Sequence, residues 1–369
     1  MRISIVAGAR PNFIKVAPII RVIERAKASD RDIDYELVYC GREDDPTLEA
    51  SLFEDLQIAR PNIFLGVDCD NLNELTGLVM SKFEYHLQQH PADAVIVVDD
   101  LASTMAVSIV TKKQGILLAH IAAGTRSFDI NMPKEINRLV IDGLSDMLFT
   151  AGMSNNSIAN REGAELSKVY MVGNILIDNL RFNRERIENA VLPDSLKDIV
   201  TQPYLVFTLN RKALIADRPN LEMMMRKMAE AASGLPILAP LRGLAAATVR
   251  RIIGSGPSPL ILTEPLGYLE FSHLTAHAAG IITDSGNVAE EATFNGVPCV
   301  TLNSYTEHIE TVKIGTNELV GEDPEKLGEA VRKIVSGQWK HAAIPDRWDG
   351  RSAERIVQIL MEWGTAQRK

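Results

Sequence analysis

The sequence predicts an α/β protein of two doubly wound domains facing a cleft. Three observations predict it: short, continuously apolar, β-branched runs, helix-period segments between them, and a restart of the whole alternation past mid-chain. Ile3 to Ala7 is the first strand, and a helix follows from Pro11 to Ala28 with Ile14, Ile19, Val22 and Ile23 on one face. Glu36 to Cys40, Ala94 to Val98, Ile116 to Ala122 and Met147 to Thr150 continue the first series. The second runs through Tyr204 to Leu209, Pro236 to Ala239, Leu260 to Thr263, Gly280 to Thr283 and Cys299 to Leu302. A chain of 369 residues is long for one core, which agrees with two domains, 1–178 and 179–350. The join is expected near Asn174 to Asp194, where the polar helical stretch Asn183-Arg184-Glu185-Arg186 leads to Leu192-Pro193-Asp194. A last helix over 351–366 is expected to pack back on the first domain.

Composition excludes several classes. Hydrophobic residues at 46% and charged residues at 24% are the balance of a globular enzyme, not of a disordered or fibrous chain. No apolar run approaches the roughly 20 residues that cross a bilayer, so no membrane partner is expected. The opening Met1-Arg2-Ile3-Ser4-Ile5-Val6-Ala7-Gly8 reads as a strand rather than a signal segment. Cys40, Cys69 and Cys299 are scattered, odd in number and without metal spacing, which points to the cytoplasm and argues against disulfides, a zinc site or any metal. A net charge of −9 without a Lys/Arg cluster argues against nucleic acid.

Ligands of open α/β sheets bind beyond the carboxyl ends of the strands. The polar residues there are Arg10, Asp99 and Asp100, Asn210 and Arg211, Arg242, and Asp284-Ser285-Gly286. Several cations and a Ser-Gly turn suit a phosphate-bearing ligand. The sharpest local pattern is Thr283-Asp284-Ser285-Gly286-Asn287-Val288-Ala289-Glu290-Glu291, in which a strand ends, Ser285 and Gly286 turn and a helix begins. Its unpaired N–H groups and dipole form a site for a diphosphate, with a carboxylate one turn on for ribose hydroxyls. An ordinary serine N-cap followed by acidic residues is the other reading. Gly8-Ala9-Arg10-Pro11 makes a tight strand-to-helix turn that sets Arg10 at the cleft edge, unless Arg10 and Lys15 are simply exposed. Asp99 and Asp100 either share a proton-transfer role or divide into a helix cap and a solvated carboxylate. His120 reads as either a site group or a buried, hydrogen-bonded histidine, and the charges of Pro133-Lys134-Glu135-Ile136-Asn137-Arg138 as either a site or a solvated first turn.

Taken together and in order, these segments resemble the non-hydrolysing UDP-N-acetylglucosamine 2-epimerase family across nearly the whole chain. Gly8-Ala9-Arg10-Pro11-Asn12-Phe13-Ile14-Lys15 is similar to the family's G-T-R-P-E-A-I-K, and His120-Ile121-Ala122-Ala123-Gly124-Thr125-Arg126 to H-V-E-A-G-L-R. The 133–138 segment is similar to P-E-E-x-N-R, Val172-Gly173-Asn174-Ile175-Leu176-Ile177-Asp178 to T-G-N-T-V-I-D, and the Thr283 segment to T-D-S-G-G-x-Q-E-E. Thr306-Glu307-His308 stands where the family has T-E-R. The resemblance implies two Rossmann-like domains of the glycosyltransferase-B fold, UDP or a UDP-sugar in the cleft, no cofactor and a homodimer. It also implies a reaction in which the proton on sugar carbon 2 leaves with UDP, and UDP adds back across the resulting glycal.

The departures fall on the proton-transfer groups. The aspartate of the family's G-D-T-T-T is kept as Asp100, but the glutamate of H-V-E-A-G is Ala122, the first glutamate of P-E-E-x-N-R is Lys134, and the histidine of G-H-R-R-E is Asn210. Glu135 matches the second glutamate, about 100° further around the helix. The T-G-Q-H segment reads Cys40-Gly41-Arg42-Glu43, and the basic H-x-N-P-N stretch reads Pro240-Leu241-Arg242-Gly243. The resemblance thus assigns catalytic positions to Asp100, Lys134, Glu135 and Asn210. It assigns UDP contacts to Arg10, Lys15, Arg211, Arg242, Ser285, Gly286, Glu291 and His308. The expectation is a UDP-sugar binder that does not epimerise efficiently, acting alone or beside an active paralogue. An active epimerase with altered residues, in which a buried Lys134 beside Arg126 serves as base, is the alternative.

Overall fold

Strands form where the β-branched runs predict them, and the sheets they build explain why those runs carry no polar alternation. The computed structural model describes residues 1–162, 168–254 and 258–367, and it divides into two units, Met1–Phe182 with Asp346–Lys369, and Asn183–Pro345. The first unit holds β1 (Arg2–Ala7), β2 (Asp34–Tyr39), β3 (Ile63–Phe64), β4 (Ala94–Val98), β5 (Leu117–Ile121), β6 (Met147–Thr150) and β7 (Lys168–Met171). They form one parallel sheet in the order β3-β2-β1-β4-β5-β6-β7. The second unit holds β8 (Leu205–Phe207), β9 (Ile237–Ala239), β10 (Leu260–Leu262), β11 (Gly280–Thr283), β12 (Cys299–Thr301) and β13 (Asn317–Leu319). These are also parallel, in the order β10-β9-β8-β11-β12-β13.

Both faces of the second sheet are covered. Leu205, Phe207, Ile282 and Val300 enter one core with Met224, Met225 and Met228 of the Arg218–Ala231 helix. Val206, Leu238, Ile281 and Cys299 enter the opposite core with Leu274, Ala289 and Ala292. Successive residues point to opposite faces, so a strand buried on both is apolar at most positions. Three strands escape the apolar-run criterion, β3, β7 and β13, and all three lie at sheet edges. An edge strand has a neighbour on one side only, and Lys168-Val169-Tyr170-Met171 and Asn317-Glu318-Leu319 mix polar with apolar residues accordingly.

The division between units falls after Phe182 and reverses at Asp346, not at 178 and 351. The helix that carries Asp178 continues to Phe182, and the segment before the last helix is held by the first unit. Trp348 is buried and its indole N–H donates to the Ala151 carbonyl at 3.0 Å. Gly173, at φ +98°, passes so close to Arg347 that an added Cβ would stand 2.0 Å from its carbonyl oxygen. The final helix, Ser352–Gln367, packs on the Arg10–Ala28 and Ile175–Phe182 helices. Asp178 accepts from the Ser352 and Ala353 N–H groups at 3.1 and 2.8 Å, satisfying donors at that helix's start. Among the described residues no helix is long and apolar enough to cross a membrane.

Candidate functional site

In each sheet the strand order reverses beside the strand that comes first in its series, between β1 and β4 and between β8 and β11. A doubly wound sheet opens a ligand crevice at such a reversal, because the flanking connections leave towards opposite faces. The turns at these points are Gly8–Arg10 with Asp99–Asp100 in the first unit, and Asn210–Arg211 with Asp284–Gly286 in the second.

In the second unit, Thr208 and Thr283 hydroxyls meet at 2.6 Å across β8 and β11. Asp284 Oδ2 accepts from the backbone N–H groups of Asn210 and Arg211 at 2.7 and 2.6 Å, tying the two turns together. The Gly286–Asn295 helix starts from Ser285 in extended conformation (φ −99°, ψ 122°), yet the serine side chain makes no capping bond. The Thr283 hydroxyl instead accepts from the Ser285 N–H at 2.9 Å. The reading of Ser285 as an ordinary N-cap is therefore overturned, and the first-turn donors and the hydroxyl both remain for a ligand. Glu290 and Glu291 lie beyond the first turn and are buried. Glu290 Oε1 is 2.8 Å from His308 Nδ1. Glu291 is 8% exposed and makes no hydrogen bond among the described residues, and burial, with the charge of Glu290, pushes its carboxyl up to about 8.

The remaining positions expected here divide by environment. The Arg211 guanidinium donates to the Leu302 carbonyl at 3.0 Å and to Glu322, a partner that no sequence motif indicated. Asn210 is exposed at the strand end. Arg242 is the exposed N-cap residue of the Gly243–Ile253 helix and donates to the Leu266 carbonyl at 3.0 Å.

The charges at the first unit's strand ends pair with one another. Arg10 opens the Arg10–Ala28 helix, partly exposed. Lys15 is not a surface residue: it is 7% exposed and its Nζ lies 2.5 Å from Asp99 Oδ1. Asn12 donates to the other Asp99 oxygen at 2.9 Å, and its own carbonyl accepts from Gly8 and Ala9 N–H groups. Asp99 holds φ +61° to reach them, a left-handed conformation costly for a residue with a Cβ. Asp100 faces the other way. Arg138 grips its Oδ2 through Nε at 2.8 Å and Nη2 at 2.7 Å, and Lys134 lies 3.4 Å from Oδ1. Burial alone would raise this carboxyl, but Lys134 and Arg138 outweigh it and hold it below the usual carboxylate range. Neither expectation for the aspartate pair holds: Asp100 is held low rather than raised, and neither caps the Ala102–Lys113 helix, whose N-cap is Leu101.

Two further catalytic expectations are corrected. Glu135 does not face an opening. It is 3% exposed and accepts from Ser127 N–H and hydroxyl, Phe128 N–H and Arg138, which together hold it low against its burial. Lys134 is not the buried amine a general base would require, since its side chain is 58% exposed and paired with Asp100. Arg126 is occupied by Asp142 and Glu162, both at 2.8 Å. His120 is the buried, bonded histidine, with Asp142 at 2.6 Å on Nδ1 and the Asp99 carbonyl at 3.0 Å on Nε2. Ala122, at φ +65°, presents a methyl at the end of β5. Among the described residues no cluster of His, Cys, Asp or Glu has the makings of a metal site.

Comparison with known proteins agrees with the fold of two parallel sheets. The family model described as UDP-N-acetylglucosamine 2-epimerase matches residues 25–361. A UDP-N-acetylglucosamine 2-epimerase of Methanocaldococcus jannaschii is 33% identical over 98% of this chain and 99% of its own length. A UDP-2,3-diacetamido-2,3-dideoxy-D-glucuronate 2-epimerase of Pseudomonas aeruginosa is 30% identical over 98% and 99%. The crystal structure of the M. jannaschii UDP-GlcNAc 2-epimerase in complex with UDP-GlcNAc and UDP is similar with a TM-score of 0.84 at 31% identity, covering 98% of this chain and 100% of that one.

Proposed function

Because the chain belongs to the UDP-N-acetylglucosamine 2-epimerase family, we propose that it binds UDP or a UDP-sugar at the β8–β11 turn of its second unit without efficient epimerisation. The observation that carries the binding half is Ser285, an N-cap serine that leaves its helix uncapped. A helix start with open donors and a positive dipole end favours an anion such as a diphosphate. Glu291 supports the nucleoside half, because a buried carboxyl without an intramolecular partner is costly unless a ligand supplies one. Ribose hydroxyls are such partners. The relative from M. jannaschii has been crystallised with UDP-GlcNAc and UDP.

The catalytic half rests on the first unit. Removing a proton from a sugar carbon requires a base with lone pairs to offer, and returning it to the other face requires a second group. Asp100 is held by Arg138 and Lys134, Glu135 by four donors, and His120 by Asp142. Ala122 offers nothing. Loss of one acid or base costs about 10²–10⁴ in rate, so the combination leaves little turnover. The alternative with Lys134 as base lacks the burial it needs. Titration calorimetry with UDP and with UDP-N-acetylglucosamine tests binding, and heat of binding is expected for both. Incubation with UDP-N-acetylglucosamine in D₂O tests chemistry: no deuterium is expected at sugar carbon 2, and rapid wash-in would refute the catalytic half alone.

A further inference from the structure

Resting on the nucleotide reading above, we propose that Glu322 is an intramolecular competitor of the diphosphate, holding the Arg211 guanidinium until the anion of a UDP-sugar displaces it. Arg211 follows β8 and Glu322 follows β13, the edge strand on that side of the sheet. β11 and β12 lie between them, so the two side chains meet across three strand spacings, about 14 Å. Their ion pair therefore passes the carboxyl ends of β11 and β12. β11 is the strand that leads into Ser285 and the uncapped start of the Gly286–Asn295 helix.

Backbone bonds fix this placement. The Arg211 N–H donates to Asp284, the residue before Ser285, at 2.6 Å. Its guanidinium donates to the Leu302 carbonyl at 3.0 Å, and the Leu302 N–H donates to the Thr283 carbonyl at 2.8 Å. The charge thus lies beside the strand end that opens the anion site. On the other side, the Glu322 carbonyl accepts from Asn220 Nδ2 at 2.9 Å, and the Gly321 N–H donates to the Asn303 carbonyl at 3.1 Å. The main chain around Glu322 is anchored, while its carboxylate is 37% exposed and can leave.

The pairing is also one that a phosphate can better. Leu302 and Glu322 are both met by a single nitrogen, Nη2, and Nε is buried without a partner among the described residues. A guanidinium offers five donors in a fork, and a phosphate that takes two of them makes a stronger contact than a carboxylate on one. The other acids of this edge are committed elsewhere. Asp323 accepts from the Glu325 and Lys326 N–H groups, Glu325 lies 2.6 Å from Lys227, and Glu318 lies 3.4 Å from Lys333. Glu322 alone among them is paired with a cation of the anion site. While the pair stands, a fraction of the molecules has no guanidinium to offer, and apparent affinity falls by that fraction.

Calorimetric titration with UDP-N-acetylglucosamine at pH 7.5 tests this. E322Q keeps the shape of the side chain and removes its charge, and it is expected to bind about three- to tenfold more tightly than the wild type. R211Q is expected to bind more weakly, and adding E322Q to R211Q is expected to restore nothing, because the competitor then has no guanidinium to hold. E318Q removes the same charge from the same sheet edge without touching Arg211, and its affinity is expected to stay within about twofold of the wild type. Circular dichroism checks that each variant folds, and if R211Q does not, E318Q carries the comparison. Equal or weaker binding by E322Q overturns the inference alone, since Glu322 would then support Arg211 rather than withhold it. The same gain in E318Q, or in the R211Q background, also overturns it, because general loss of negative charge would suffice. Absence of binding by the wild type and every variant overturns the nucleotide reading and this inference with it.

Discussion

Replacing Glu291 with glutamine is expected to stabilise the ligand-free protein above pH 6 and to leave it unchanged near pH 4.5. The carboxyl ionises at about 8 in the folded chain against an ordinary value of 4.5. A folded-state value raised in this way contributes stability that is complete below pH 4.5 and is lost as pH rises through 8, because the folded protein must either keep its proton or bury a bare carboxylate. At ~1.4 kcal/mol per pH unit, the penalty at pH 7 is about 3 kcal/mol at most, and relaxation around the helix lowers it to ~1–3 kcal/mol. Glutamine has the shape of the protonated acid and no proton to lose. For a domain the size of the second unit the gain corresponds to ~3–10 °C in melting temperature. Scanning calorimetry of wild type and E291Q at pH 5 and 7.5 reads it directly. Equal shifts at the two pH values, or a loss at 7.5, would refute the burial argument. Weaker UDP binding by the stabilised variant is the accompanying expectation, since a partnerless acid retained at a stability cost is the signature of a ligand contact.

Other substitutions test the first unit. R138M removes the guanidinium shared by Asp100 and Glu135, leaving two buried carboxylates short of a partner. A loss of about 3–5 kcal/mol is expected, read as a lower urea midpoint with unchanged slope. D178A removes the acceptor for the Ser352 and Ala353 N–H groups and is expected to cost ~1–2 kcal/mol. Faster hydrogen exchange confined to the start of the Ser352–Gln367 helix would verify that this is the loss of a cap, whereas a spread over the whole unit would contradict it.

The interior strands were legible because burial on two faces leaves little room for polar residues. The edge strands were not, because half of their environment is solvent. Site positions followed the same logic. Gly286 and Ser285 were readable, since a turn between strand and helix has few chemical solutions. What Lys15, Asp100 and Glu135 do was not readable, because each answer depends on a partner distant in sequence. Lys15 meets Asp99 and Asp100 meets Arg138. Glu135 meets a loop eight residues back. Motif letters identify a side chain, but its availability for chemistry is decided by what the fold brings against it. Asp99 is the sharpest case. It takes a backbone conformation suited to glycine in order to neutralise a lysine that its neighbourhood would otherwise present to an anion.

The return of the chain to its first unit has a consequence for synthesis. The second unit, Asn183–Pro345, is complete in sequence before the first has received Trp348 or the Ser352–Gln367 helix. Domains fold as units while the ribosome moves at about 5–20 residues per second, so the apolar flank of the Arg10–Ala28 helix waits uncovered until the Ser352–Gln367 helix emerges. A ribosome that stalls or terminates early in this gene would release a folded second unit attached to an unfinished partner with an exposed apolar flank.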